Sequence, residues 1–353
     1  MAPNQAARNR VREYRRLRGW SQLGLAERAG ISRAAVSAIE VGRAVPAVTA
    51  ALALASVLGC SVESLFGSAP RGPAEPEWAW PPTRSPSRYW LARIRGRTLR
   101  YPVEATEVGV TAHDGVYRDG AFFPAGDADP DATLVVACCD PAVGLLAAEY
   151  TRSSGFRLLA LPRPSHLALE LLGRGLVHVA GVHFATGEAP GGNAAAVRDI
   201  LGGRVRLLRV ARWEEGLAVG AGTAVTSVGG ALRARLRWVG REPGSAARQC
   251  LDELRRHAQP PRRVAYDHRG VAEAVRCGWA DAGVCHRLAG EEAGLRVFTV
   301  RREQFDLCYP SDAEDDPRVV ALVRVVRSAR YRWLLGELPG YDAAPAGEVQ
   351  TVR

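Results

Sequence analysis

The chain has 353 residues, with 47 basic and 37 acidic side chains for a formal net charge of +10, and it contains no lysine, so the basic side chains are arginines. At ~100–200 residues per domain this length predicts two or three domains, and 47% hydrophobic composition excludes a disordered polymer. No run approaches the ~18 apolar residues of a membrane span and MAPNQAARNR lacks a signal-peptide core, so a cytoplasmic protein with no membrane partner is expected.

Residues 9–66 predict five short helices. The first, Asn9 to Arg18, sets Val11, Tyr14 and Leu17 on one side and closes at Gly19. Ser21 caps a second helix carrying Leu23, Leu25 and Ala26, which stops at Gly30; Ser32 caps a third, Arg33 to Glu40, with Val36 and Ile39 inward. The fourth, Val48 to Leu58, is almost wholly apolar and is expected to be central, and Ser61 opens a last turn to Phe66. Two short helices joined by a Gly-containing turn describe a helix-turn-helix. Charge agrees: residues 1–70 hold nine Arg against four Glu, so half of the excess sits in the first fifth of the chain.

The stretch WSQLGLAERAGISRAAVSAIEVGRAVP, Trp20 to Pro46, resembles the Xre/Cro family of DNA-binding domains, and the likeness runs from about Asn9 to Phe66. It implies an all-α head, residues 1–68, that binds double-stranded operator DNA. The third helix is expected to enter the major groove, with Ser32 as its cap and Arg33, Ala34, Ser37 and Ala38 meeting base edges. Ser21, Gln22 and Arg43 are expected on phosphates, and Arg15 with Glu40 as a structural ion pair. Such heads read near-palindromic sites as dimers, so a homodimer is expected.

Residues 69–87 are dense in Pro and read as an extended linker. Short alternating stretches and Gly turns over 88–133 predict a small β-rich element. From Leu134 the chain alternates strands with helices, which predicts a mostly parallel sheet with ligands at the carboxyl ends of its strands. Those ends are Cys138 to Asp140, Pro164 to His166 and Gly181 to His183. Further on, Gly244-Ser245-Ala246 opens a helix directly after a strand, an anion site flanked by Arg241 and Arg248.

The pieces CDPAVGLLA, PSHLALELLGRGLVHVAGVHF, WEEGLAV, WVGREPGSAAR, VAEAVRCGWADAGV and LPGYD together resemble the two-lobed (type II) periplasmic-binding-protein fold, in its molybdate-binding-like form. The likeness implies an α/β effector domain over 134–345. Carried over residue by residue, it puts the effector against Cys138, Cys139, Asp140, Ser165, His183, Arg241, Gly244, Ser245, Ala246 and Cys285. Two positions that are hydroxyls in that family are thiols here, which argues against copying molybdate specificity.

Two effector chemistries follow. One is an oxyanion, molybdate-like, or another small anion held by the helix terminus, Ser165 and the arginines. The alternative is a soft metal ion or a thiol-reactive signal, taken by Cys139, Cys285, Cys308, His183 or His268. No nucleophile elbow, HExxH pair, P-loop or dinucleotide glycine pattern occurs, so an enzyme is not expected. The expectation is a multidomain one-component transcription regulator that senses a small effector.

Overall fold

The computed structural model describes residues 9–66, 76–104, 112–126, 128–187, 189–256 and 258–352, apart from the side chain of Glu63. The chain divides into two units, Met1–Glu75 and Pro76–Arg353.

In the first unit α1 (Val11–Leu17), α2 (Gln22–Ala29), α3 (Arg33–Glu40), α4 (Val48–Leu58) and α5 (Val62–Phe66) close on a core of Val11, Leu25, Val36, Ile39, Leu54 and Leu58. Ser21 and Ser32 accept from the amides of Gly24 and Ala35 at 3.0 and 3.1 Å, satisfying N–H groups that a helix start leaves orphaned. Arg15 and Glu40 pair at 2.5 Å. Two expectations need correction. Leu17 is exposed rather than inward. Helix α4 is apolar but not central: Ala51, Leu54, Ala55 and Leu58 meet the core, while Val48 and Leu52 are 75% and 56% exposed.

The second unit opens with β1 (Glu77–Trp78), β2 (Ser87–Ile94), β3 (Arg97–Pro102), β4 (Gly115–Arg118) and β5 (Ala121–Pro124), a five-stranded sheet of order β1-β3-β2-β4-β5. Asp119 and Gly120, at φ +52° and +79°, make the left-handed turn that joins β4 to β5. Part of the segment read as linker belongs here. Residues 69–75 lie outside the described set, but from Glu77 the chain is strand, and Trp78 packs edge-on against Tyr89 and Tyr117 at 6.1 and 5.6 Å. The proline count masked two anchoring tryptophans. Trp90, Ile94, Leu99 and Tyr101 share one core with Val135 and Leu159 of the next sheet.

That sheet has ten strands. In chain order the elements are β6 (Thr133–Cys138), α6 (Val143–Ser154), β7 (Arg157–Pro162), α7 (Ser165–Gly173), β8 (Val179–Thr186), α8 (Gly192–Leu201), β9 (Val205–Val219), α9 (Val228–Arg233), β10 (Trp238–Arg241), α10 (Ala246–Leu254), β11 (Arg263–Ala265), α11 (His268–Arg276), β12 (Ala282–His286), α12 (Arg287–Glu292), β13 (Arg296–Pro310), α13 (Pro317–Arg327), α14 (Ala329–Gly336), β14 (Tyr341–Asp342) and β15 (Val349–Val352). Strands β6, β7 and β8 are parallel and form one lobe; β10, β11 and β12 are parallel and form the other. Between them run β9 and β13, fifteen residues each and antiparallel, so a single ladder carries both lobes. The architecture is the two-lobed α/β one expected, with mixed strand directions. Among the described residues no helix is long and apolar enough to cross a membrane.

Candidate effector site and DNA-reading helix

The carboxyl ends of the lobes meet at a buried polar centre. Strand β6 brings Cys139 and Asp140 to it, β8 brings His183, β9 brings Trp213 and Glu215, α11 brings His268, β12 brings His286 and β13 brings Glu303. Cys139 Sγ lies 3.1 Å from His183 Nε2, and His183 Nδ1 lies 2.6 Å from Glu303 Oε2. The Glu303 carboxylate also accepts from Trp213 Nε1 at 3.1 Å and from Arg301 Nε at 2.7 Å. Tyr341 donates its hydroxyl to Asp140 at 2.5 Å. Trp213 stacks on Phe305 at 4.6 Å and takes the rings of His183 and His286 edge-on at 4.9 and 4.8 Å. Strand β8 can lie this close because residue 181 is glycine; a Cβ there would collide with Cys138 and Phe305.

The hydrogen bonds fix which ring nitrogens carry protons. His268 Nδ1 accepts the amide of His286 at 3.0 Å, and His286 Nδ1 accepts the amide of Leu288 at 3.0 Å. Burial, followed by nearby cationic groups, holds His268 well below the ordinary histidine value. Burial outweighs Glu303 in pushing His286 down to about 3. Both rings are therefore neutral, with the proton on Nε2, and neither Nε2 has an acceptor. His183 differs: burial opposes its charge, but Cys139 and Glu303 outweigh burial and raise it well above the ordinary value, making it an imidazolium. Burial and then Glu303 push Glu215 up to about 8, so it is protonated at neutral pH, with both oxygens unpartnered. Ser165 Oγ and Asp140 Oδ2 are likewise buried and unpartnered. Among the described residues the centre thus offers several hydrogen-bonding groups, mostly donors, with nothing to bond.

The expected site residues divide. Cys139, Asp140 and His183 belong to this centre, and Ser165 starts α7 at the end of β7. Ser245 caps α10, accepting from Arg248 N at 3.3 Å and donating to the Glu242 carbonyl at 3.0 Å, with Gly244 at φ +87° before it and Ala246 as first helical residue. The arginines beside it are engaged elsewhere: Arg241 is held by Glu242 at 2.7 and 2.8 Å, and Arg248 by Asp252 at 2.8 Å. Three thiols need correction. Cys138 packs in the core with Val136 and Phe305, Cys285 with Val239 and Val271, and Cys308 with Val182 and Leu207, because alternate residues of a strand face opposite sides.

Metal-ligating atoms of Cys139, His183 and His268 lie within 4.8 Å of one another, as do those of His183, Glu215 and Glu303. In the arrangement seen His183 uses both nitrogens and His268 keeps its proton on Nε2, whereas the Glu215 oxygens are unpartnered. Glu215, Trp213, His286 and Glu303 were not anticipated. Their signal was faint but present: the carboxylates of WEEGLAV and REQFDL stand next to apolar strand residues, where a buried charge needs a reason. Beside the centre a groove of ≈ 720 Å³ runs between Phe184 and Thr186 of one lobe and Ala246 and Cys250 of the other, and Arg301 lines it.

In the first unit Ser21, Ser32, Arg33, Ala34 and Arg43 are exposed, whereas Ser37 and Ala38 are half-buried. Gln22 is half-buried too, and its amide donates to Glu40 at 2.9 Å, bonding the ion pair that ties α1 to α3.

Residues 147–327 match the family described as the PBP superfamily domain, more than half of the chain, and residues 11–65 match a helix-turn-helix family. The chain belongs to the PBP superfamily. The chain thus joins a helix-turn-helix region to a PBP-like domain. The chain is 28% identical over 186 residues to YvgK of Bacillus subtilis (strain 168), covering 50% of this chain and 60% of that protein; it thus spans less than two thirds of that relative's length. Among solved structures it is similar to a putative phosphate ABC transporter substrate-binding protein with bound phosphate from Clostridium perfringens (TM-score 0.46, 11% identity, 58% of this chain and 97% of that one). It is similar also to a reduced form of OxyR from N. meningitidis (TM-score 0.42, 13% identity, 60% and 98%).

Proposed function

We propose that the protein is a one-component transcription regulator whose two-lobed domain closes on a small oxyanion and thereby alters operator binding by the helical head. In this reading residues 1–68 form the head and 134–345 the effector domain. The observation that carries the anion is the pair of neutral rings His268 and His286, whose Nε2–H groups lie buried without acceptors. Ser165 and protonated Glu215 add donors, and the His183 imidazolium adds charge. Buried donors of this kind cost about 1–3 kcal/mol each while unmade, a cost that an acceptor-only ligand removes. Because most of these donors are uncharged, the dianion needs little further counter-charge to be desolvated with it.

The test is a thermal-shift and calorimetric screen of the full chain against molybdate, tungstate, sulfate, phosphate, Cu(I) and Zn(II). An oxyanion should raise the melting temperature, and His268→Ala and Ser165→Ala should each weaken its binding. Stabilisation by the metals alone would overturn the oxyanion reading in favour of a soft-metal sensor. The head is assigned to a homodimer on half-sites about one helical turn apart, which footprinting on a selected operator checks.

A further inference from the structure

Seven cysteines are distributed through the chain, and one has chemistry that the oxyanion reading does not use. Cys138, Cys250, Cys285 and Cys308 are buried, Cys60 and Cys139 are half-buried, and Cys277 is exposed. Burial pushes the Cys308 thiol up to about 12 and raises Cys250 and Cys285 further, so these behave as small hydrophobes. Cys277 is raised too, first by its hydrogen bond to Glu273.

Cys139 has a different setting. Its Sγ is 3.1 Å from a ring nitrogen of fully buried His183, whose other nitrogen is 2.6 Å from the fully buried Glu303 carboxylate. Trp213 and Arg301 hold that carboxylate from two further directions. Sulfur, imidazole and carboxylate thus form an oriented relay, the arrangement that activates a thiol for attack. The ring of His268, whose Nε2–H has no acceptor, brings a nitrogen to within 4.8 Å of the sulfur. Cys139 and His183 stand on one lobe and His268 on the other.

We propose that Cys139 is a reactive thiol that small hydroperoxides oxidise to a sulfenic acid. With the thiol proton held on His183 Nε2, the sulfur attacks one peroxide oxygen, an S–O bond forms and the O–O bond breaks. Sulfur is oxidised by two electrons and the peroxide is reduced. The departing oxygen takes the proton of the His183 imidazolium and leaves as water, or as an alcohol from an organic hydroperoxide. This leaves a neutral imidazole beside Cys139–S–OH. The new oxygen adds an acceptor to a centre in which the buried Nε2–H of His268 has none. An alkylating agent would require neither that proton nor that donor. Glu303 is a positioning residue, holding the His183 ring toward the sulfur. A small thiol reverses the step, condensing with the sulfenic acid to a mixed disulfide with loss of water, after which a second thiol releases Cys139.

The experiment treats the reduced full-length protein with hydrogen peroxide in the presence of dimedone and follows each cysteine by peptide mass spectrometry. Exposed Cys277 serves as the internal reference, so the first readout needs no variant. Cys139 should be trapped at least about tenfold faster than Cys277, in line with the gain a positioned acid–base partner supplies. Cys139→Ser should lose that label and keep its melting temperature. His183→Ala should slow labelling of Cys139 at least about tenfold, with imidazole added to the solution restoring part of the rate. Glu303→Gln should shift the pH profile of the labelling, which altered packing alone would leave in place. Labelling of Cys139 no faster than Cys277, or an unchanged rate in a folded His183→Ala, would overturn the proposal. Oxyanion binding is read separately, so either conclusion can fail without the other.

Discussion

One carboxyl group of the centre, Glu215, gives stability a pH dependence of definite sign. Glu215 binds its proton more tightly in the folded protein, where burial and Glu303 push it up to about 8, than in the unfolded chain. Between the ordinary carboxylate value and about 8 the folded state therefore holds more proton than the unfolded one, and stability falls as pH rises through that window. Glu215→Gln removes the term. The variant's melting-temperature advantage should be small near pH 5 and grow toward pH 8, reaching at least about 1 kcal/mol in denaturant titrations. If the anion takes a hydrogen bond from protonated Glu215, its affinity should weaken over the upper part of the same window. Arg33 is the corresponding residue on the head. Arg33→Ala should cost about 1–3 kcal/mol in anisotropy titrations with specific operator and relax base preference at one position, and a uniform loss across sequences would reassign it to a phosphate.

Among the elements, caps and periodicity were legible while faces were not. Ser21 and Ser32 were identifiable as N-caps because a hydroxyl before a helical run has one local job, and both accept the expected amides. Ser32→Ala should destabilise the head by about 1 kcal/mol and weaken operator binding through fraying of α3. Helix α4 resisted reading because only Thr49 and Ser56 mark the exposed face of an otherwise apolar run. The two sides should respond differently: Leu54→Ala should cost about 2–5 kcal/mol and Leu52→Ala no more than about 0.5 in equilibrium unfolding. Strand ends in the larger unit were legible from the alternation of strands and helices, which led to Cys139, Asp140 and His183. The partners on β9 and β13 were not, since Glu215 and Glu303 lie far apart in sequence and only the antiparallel pairing brings them together. Cys138, Cys285 and Cys308 failed for a related reason, as one step along a strand turns a side chain from cleft to core.

In the larger unit, binding and stability should be coupled. A ligand held between the lobes binds only the folded form, so 100-fold excess over its Kd should add about 2.7 kcal/mol to unfolding, visible as a concentration-dependent melting temperature. The shared ladder has a further consequence. Because β9 and β13 each contribute backbone pairing to both lobes, neither lobe owns a complete sheet, and cutting the chain between them would leave two fragments with open edges. Residues 76–353 should therefore lose heat-absorbing structure in one calorimetric step, and separately expressed halves should be insoluble alone and recoverable only when refolded together. In the proposed closure on the effector the movement is then a torsion along a common spine, with both lobes hinged on the same pair of strands.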